Sequence, residues 1–527
     1  MIRSRFYFLF FVFFLFFVGV AGQTKPPRLI LFLVVDELDN DQLLVLQPLL
    51  TNKGVNRLAS EGFRFMSVTS GDFSAYPGTR LTSLFTGVTP AVHGLVGEQW
   101  FDQRLDKFSD PLVLNPVSVF RTLEYNMARS LPDYMKSVFG PGARVAALSV
   151  HTPWMAHTLG YSPDYFFAYD RNNGSFFDVM QSGADTTWVR EFNNRYSTNG
   201  YLNKQWGPVK DITSYTEYRY KKPDQQHDFR NFLYNMNDGG IDGFKFGKVA
   251  ASPFANTLLR DFTVAFLVNS GFGQDEIPDL LSVCFTSRPF VKTNGTILPA
   301  EKEDLLLRLD TELASLIDFL DVDLGRENYL IILTSAMNSA TDQSTYGQQG
   351  KNTGLFENPK VMSLLNLYLM AIHGQGKWIT GLSDGVVYLN RSLIEQKGLS
   401  LKEMQDKVAI FLLEVSGVAK AVPTYNLVLE EHHDPLVSEN IFPVRAGDVY
   451  ISLLPGWQTP PSSLGTRQDG FPGHRQVPFI FFGWKTQKGA WLQIVKTTHL
   501  VPLLMKQMGL THPMADQIPE IPVFDGE

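Results

Sequence analysis

The sequence predicts an α/β fold: a doubly wound, mostly parallel sheet with helices on both faces and an inserted cap lobe. Three observations predict it. First, Arg28 to Asp36 reads RLILFLVVD, with Leu29 to Val35 unbroken and apolar and a carboxylate at the end. Such a run fits a strand covered on both faces, as in a parallel sheet. Second, similar runs recur at Ala143 to Thr152, Leu280 to Thr286 and Tyr329 to Thr334. Third, helical periodicity lies between them. It is clearest from Glu301 to Leu320, where Leu306, Leu309, Leu313, Leu316, Ile317 and Leu320 share one face. Strands alternating with helices wind a parallel sheet.

Taken in order, the chain opens with a targeting segment. Arg3 and Arg5 precede an apolar run from Phe6 to Val20, which is short for a membrane span. Gly19, Ala21 and Gly22 supply small residues for cleavage. The expected segments are therefore a signal peptide (1–22), a first part of the core (23–162), a cap lobe (163–273) and a second part of the core (274–527). No later stretch is apolar enough to span a bilayer, so the mature chain is expected to have no membrane span. The net charge of −7 over 527 residues gives no reason to expect nucleic acid as a partner. Cys284 is the sole cysteine and lies in the apolar run LLSVCF, so it reads as buried and structural. An exported chain without disulfides fits a bacterial periplasm.

After the first strand, Gly54 to Gly62 reads as a helix stopped by Gly62. Pro77 suits the first turn of a helix through Leu81 and Leu84, which Gly87 ends. From Pro163 to Gly273 the chain turns rich in Tyr, Trp, Phe, Asn and Asp. This stretch reads as the cap, its aromatics serving either as core or as a ligand surface. Val361 to Ile372 and Leu401 to Leu413 read as helices. Asp448 to Leu454 and Pro478 to Phe482 read as late strands.

Several segments carry a family resemblance. They are the strand ending in Asp36, YPGTRLTSLFTGVTPAVHG (Tyr76 to Gly94), NTLLRDF (Asn256 to Phe262), GQDEIPDLL (Gly273 to Leu281), DLLSVCFTS (Asp279 to Ser287), YLIILTSA (Tyr329 to Ala336) and DVYISLLPGW (Asp448 to Trp457). In this order they resemble the alkaline phosphatase superfamily, in the branch of single-chain periplasmic phosphatases and type I phosphodiesterases. The resemblance implies two zinc ions roughly 4 Å apart, held by six Asp and His ligands, and a Thr or Ser nucleophile at a helix N-terminus.

Position by position, the resemblance puts one metal ligand, Asp36, on a matching residue. The other ligand positions fall on Pro289, Thr293, Ala336, Met337 and Arg467, and the nucleophile position falls on Pro77. The phosphate-binding positions fall on Glu98, His151 and Pro153. One carboxylate does not hold two dications. The sequence thus predicts a non-catalytic, exported pseudophosphatase without a cofactor, partnered with other exported or outer-membrane proteins. The alternative is a metal-dependent phosphate-ester hydrolase that keeps zinc in a rearranged site.

Other residues bear on that choice. Thr79 and Ser74 could supply a shifted nucleophile. His432, His433 and Asp434 read as a solvated loop before Pro435 rather than as a metal cluster. His93 reads as a support of the HG turn. Arg467 is expected to replace the lost metal charge by pairing with Asp36 or Glu98.

Overall fold

The computed structural model describes residues 25–525 except 72, 110–111, 151, 184, 197, 220–231, 239–242, 292–297, 338–352, 430–437 and 462–475. The signal peptide, His151, Thr293, Arg467 and the triplet His432, His433 and Asp434 lie outside the described residues.

The strands run in chain order as follows: β1 Leu29–Glu37, β2 Phe63–Thr69, β3 Val145–Ser149, β4 Tyr165–Asp170, β5 Ser175–Asp178, β6 Asp279–Phe285 and β7 Tyr329–Met337. Four more, β8 Ile379–Ser383, β9 Val386–Leu389, β10 Val418–Pro423 and β11 Val449–Leu453, form a separate antiparallel sheet in the order β8-β9-β11-β10. The chain then returns through β12 Val477–Gly483, β13 Gly489–Trp491 and β14 Val495–Lys496.

The main sheet has ten strands in the order β13-β2-β12-β7-β1-β6-β3-β4-β5, with β14 also paired to β2. Its centre, β7-β1-β6-β3-β4, is parallel. β12 runs antiparallel between β7 and β2, and β5 runs antiparallel to β4. β1 lies inside the parallel part, between β7 and β6, which is why its sequence is apolar throughout. Ile30, Phe32 and Val34 enter one core cluster, and Leu29, Leu31, Leu33 and Val35 enter the cluster on the opposite face.

The helices used below are α1 Val55–Glu61, α2 Pro77–Thr86, α3 Pro253–Ser270, α4 Ala300–Asp323, α5 Asn358–His373, α6 Leu401–Leu413 and α7 Thr497–Gln507. Residues of α2 and α7 lie in the first cluster, and residues of α3 and α4 lie in the second. Pro77 is the first residue of α2, and Gly87 ends it in the left-handed region at φ 65°, as its sequence predicts. Gly62 ends α1 for a different reason. A Cβ there would lie 2.2 Å from the Phe481 carbonyl oxygen, so the helix could not close onto β12.

The organisation differs from expectation in three places. The stretch 163–273 contributes β4 and β5 to the edge of the main sheet. Its aromatics build core: Phe167, Phe176, Trp188 and Phe192 pack around Phe262 of α3, with Phe176 and Phe262 stacked at 4.0 Å. The run from Asp448 to Leu454 does form a strand, β11, but in the second sheet. That sheet has a hydrophobic cluster of its own with α5 and α6, including Val361, Leu365, Val408, Val449 and Ile451. The strand β2 was not anticipated, because Arg64 and Ser67 break its apolar run; only Phe63, Phe65 and Val68 carry its core face.

Candidate functional site

The C-terminal ends of β1, β6 and β7 meet where an open α/β sheet binds its ligands. The register fixes the neighbours of Asp36. Val35 pairs with Ser335 and Glu37 with Met337, so Ala336 stands beside Asp36 on β7. Val35 also pairs with Phe285, so Thr286 to Arg288 leave β6 on the other side. Pro77 opens α2, which packs against β7 through the shared core. The sheet therefore brings Asp36 and Ala336 together, and Pro77 is the first residue of a helix that packs on the same core.

Asp36 is buried, and donors surround it. The Ser287 backbone N–H donates at 2.7 Å, Thr286 Oγ1 lies at 3.2 Å, and Arg288 Nε donates at 3.3 Å. Ser287 Oγ is 2.9 Å from Asp36 and 2.6 Å from the Glu37 carbonyl oxygen, so its proton has two acceptors. Beside this group, buried Lys302 on α4 reaches the Glu37 carboxylate at 3.2 Å. Burial lowers the Arg288 pKa, but attraction to Asp36 and Glu37 outweighs that and holds the guanidinium charged. Two protein cations thus face two carboxylates at the sheet edge. Cys284, one strand residue earlier, is buried as expected; burial, and then the charge of Asp36, push its thiol well above the ordinary range. It is therefore a poor nucleophile.

A two-zinc centre does not fit the described residues here. Ala336, Pro289 and Pro77 offer no metal-binding side-chain atom, and the oxygens of Asp36 already serve Ser287, Thr286 and Arg288. Among the described residues no group of three or more His, Cys, Asp or Glu is placed to hold a metal ion. Met337 ends β7 opposite Glu37. The cation found on Asp36 is Arg288, which was not anticipated, whereas Arg467 lies outside the described residues. The signal for Arg288 was present in the sequence: Thr286-Ser287-Arg288 follows the apolar strand directly, so three polar side chains emerge beside Asp36, near the end of β1.

Around the start of α2 the described residues pack closely. Gly78 lets the rings of Tyr76 and His157 approach; a Cβ there would lie 2.3 and 2.4 Å from them. The Tyr76 hydroxyl meets His157 Nε2 at 3.1 Å in full burial. His157 belongs to the short 3-10 helix Pro153–Thr158, so Pro153, one of the phosphate-pocket positions, begins a structural element that braces α2. His93 supports the HG turn as expected. Its Nδ1 accepts the Leu95 N–H at 3.1 Å, which leaves Nε2 to donate to Ser83 Oγ at 2.9 Å. Burial pushes both His93 and His157 down to about 3, so both are neutral.

Of the alternative nucleophiles, Thr79 is fully buried, and its hydroxyl has no hydrogen-bond partner among the described residues. Ser74 Oγ lies 3.3 Å from Asp384 Oδ1 and accepts the Tyr76 N–H at 3.0 Å. Glu98, at another phosphate-pocket position, uses its backbone N–H to donate to Asp384 Oδ2 at 2.9 Å. Asp384 comes from the second sheet, and nothing in its local sequence pointed to the site.

The comparisons agree with this fold. The sequence model of the family described as type I phosphodiesterase / nucleotide pyrophosphatase matches residues 31–473. The chain is 24% identical over 509 residues to the alkaline phosphatase PafA of Elizabethkingia meningoseptica, covering 92% of each. It is 25% identical over 483 residues to the alkaline phosphatase PhoV of Synechococcus elongatus, covering 88% of this chain and 86% of that one. The crystal structure of wild-type PafA superposes with a TM-score of 0.78 at 22% identity, over 93% of this chain and 97% of that one. The chain belongs to the type I phosphodiesterase / nucleotide pyrophosphatase family, within the alkaline phosphatase superfamily.

Proposed function

We propose that this chain is an exported pseudophosphatase, a family member whose sheet edge serves binding or assembly and not phosphoryl transfer. The observation that carries the reading is the Asp36 cluster. The carboxylate at the first ligand position is bound by Ser287, Thr286 and Arg288, with Ala336 beside it. In-line phosphoryl transfer needs a nucleophile and concentrated positive charge on the transferring oxygens. Pro77 provides no hydroxyl, and the two cations at this edge are held by Asp36 and Glu37. The apolar leader supports export to a periplasm, where the partners would be other exported or outer-membrane proteins.

A second reading, a metal-dependent phosphate-ester hydrolase with a rearranged site, has its own support. Two relatives matched over most of their length are named alkaline phosphatases, and this favours hydrolysis more directly than it favours loss of activity. On that reading zinc stays with the protein, and Ser74, 3.3 Å from Asp384, is the candidate shifted nucleophile that has a carboxylate beside it. Metal analysis of the purified chain, together with turnover of an aryl phosphate, separates the two. About two zinc per chain, with turnover that disappears in Asp36→Asn, establishes the hydrolase. Background turnover in supplied zinc, magnesium or manganese, with no bound metal, supports the pseudophosphatase.

A further inference from the structure

Asp384 and Gly385 form the two-residue turn between β8 and β9. Both have positive φ, 48° and 72°, as a type I′ hairpin requires, and Asp-Gly is a preferred pair for it. The turn points away from its own sheet into the loops around α2. There the Asp384 carboxylate accepts the Glu98 N–H at 2.9 Å and meets Ser74 Oγ at 3.3 Å. The approach depends on Gly97, where a Cβ would fall 2.5 Å from Asp384 Oδ2. Next to the turn the contact is apolar and rigid: Tyr388 of β9 packs on Phe101 and Phe108, and Tyr450 of β11 packs on Phe73. One carboxylate therefore joins three segments: the β8–β9 turn, the segment before α2 and the loop 97–99.

Among the described residues, groups face Asp384 from several sides. Ser383 is its neighbour in the turn, with Oγ at 3.3 Å. Ser74 and Tyr76 face it from the segment before α2, Tyr388 faces it from β9, and Glu98 faces it from the loop. Among the described residues Glu98 is the charged group acting on it, and its charge has the same sign as that of Asp384.

We propose that Asp384 is a proton-operated clasp between the second sheet and the loop 97–99, closed when the carboxylate takes up a proton and loosened when it loses it. Burial, and then the charge of Glu98, raise Asp384 to about 6, against the hydrogen bonds from Glu98, Gln99 and Ser74 that favour the anion. Linkage gives the sign. The closed arrangement binds the proton more tightly than an open, solvated one, so acid closes the clasp and rising pH opens it.

Hydrogen exchange of the full chain, read on a peptide covering 95–101 and corrected for intrinsic exchange rates, tests the proposal. Protection should rise by at least about fivefold from pH 7.5 to pH 5, with a midpoint near 6. In Asp384→Asn it should be flat over that range. In Glu98→Gln the midpoint should move down, because the like charge is gone. Flat protection in the parent, or the same transition in Asp384→Asn, overturns the proposal. Should Asp384→Asn fail to fold, an unmoved midpoint in Glu98→Gln overturns it as well.

Discussion

Arg288 Nε lies 3.3 Å from Asp36 Oδ2, and this pair stands at the sheet edge where the family resemblance implies a dication. Asp36 is 2% exposed, whereas the Arg288 side chain keeps about a third of its surface in water (31%). A buried carboxylate without a partner is costly, and a guanidinium answers it with charge and direction. The geometry shows how a cation of the chain itself can answer the buried carboxylate at this position. Two predictions follow from that pair and two from buried groups elsewhere.

Removing the cation should leave Asp36 buried and uncompensated. Arg288→Ala is expected to cost roughly 2–4 kcal/mol, below the range for a fully buried pair because Arg288 is partly solvated. The double variant Asp36→Asn with Arg288→Ala should cost less than Arg288→Ala alone. Guanidinium unfolding with unchanged slope measures both. A midpoint for Arg288→Ala equal to the parent's would show that Asp36 needs no cation.

Metals that hold a site together stabilise the folded state by mass action. Because the cations of this edge are covalent parts of the chain, chelation by EDTA should leave the melting temperature unchanged. Added zinc should not restore stability to Arg288→Ala. A fall of several degrees on chelation would reveal a ligand set that the described residues do not contain, and would favour the hydrolase.

Asp304 ties the aromatic-rich segment to α4. It is fully buried and receives Trp206 Nε1 at 2.7 Å, the Tyr215 hydroxyl at 2.6 Å, the Val209 N–H at 2.7 Å and Arg308 Nε at 2.8 Å. Asp304→Ala removes the acceptor of four donors, three of them outside α4; of these groups the Val209 N–H keeps the Tyr215 hydroxyl at 3.0 Å and Arg308 keeps the Gly207 carbonyl at 2.8 Å. Unsatisfied buried donors cost about 1–3 kcal/mol each, although relaxation and water recover part of it. The expected loss is about 3–5 kcal/mol, with proteolysis beginning between 203 and 220. Cleavage elsewhere first would show that the segment is held by its aromatic contacts and not by Asp304.

The sheet was legible because its central strands are buried on both faces. A run such as Leu29 to Val35 has few other homes, and α4 repeats leucine over many turns. Of the second sheet only β11 was legible. β8 and β9 are five and four residues long, and in β10 the adjacent exposed Ala419 and Lys420 break the alternation, so no strand signal rises above the background in these three. At the site, the register placed Asp36 beside Ala336 as the aligned strands suggested. The partner of Asp36, Arg288, has only its place after a strand end to mark it, and Asp384, which meets Ser74 and Glu98, is brought in by a hairpin from another sheet. Such contacts depend on tertiary packing, which local sequence does not encode.

The two buried histidines should set the acid limb of stability, and Asp384 should oppose them. His93 and His157 are held near 3 when folded and titrate near 6.5 when unfolded. Their folded pKa values are depressed, so stability is present above about 6.5 and is lost as pH falls toward 3. Between pH 6 and 4 the unfolded chain holds two more histidine protons than the folded one. Asp384 runs the other way: it keeps its proton to about 6 when folded but only to 3.8 when unfolded. Over that window the three groups together leave one net proton, a slope of about 1.4 kcal/mol per pH unit. Asp384→Asn removes the opposition and should roughly double the slope. His157→Gln, which retains an acceptor for Tyr76, removes one histidine and should bring the contribution of these groups close to zero. The measurement is unfolding free energy by denaturant at half-unit pH steps from 6 to 4. Equal slopes in the parent and Asp384→Asn would mean that Asp384 titrates alike in both states. The slope of His157→Gln would then show whether the histidines alone carry the acid sensitivity.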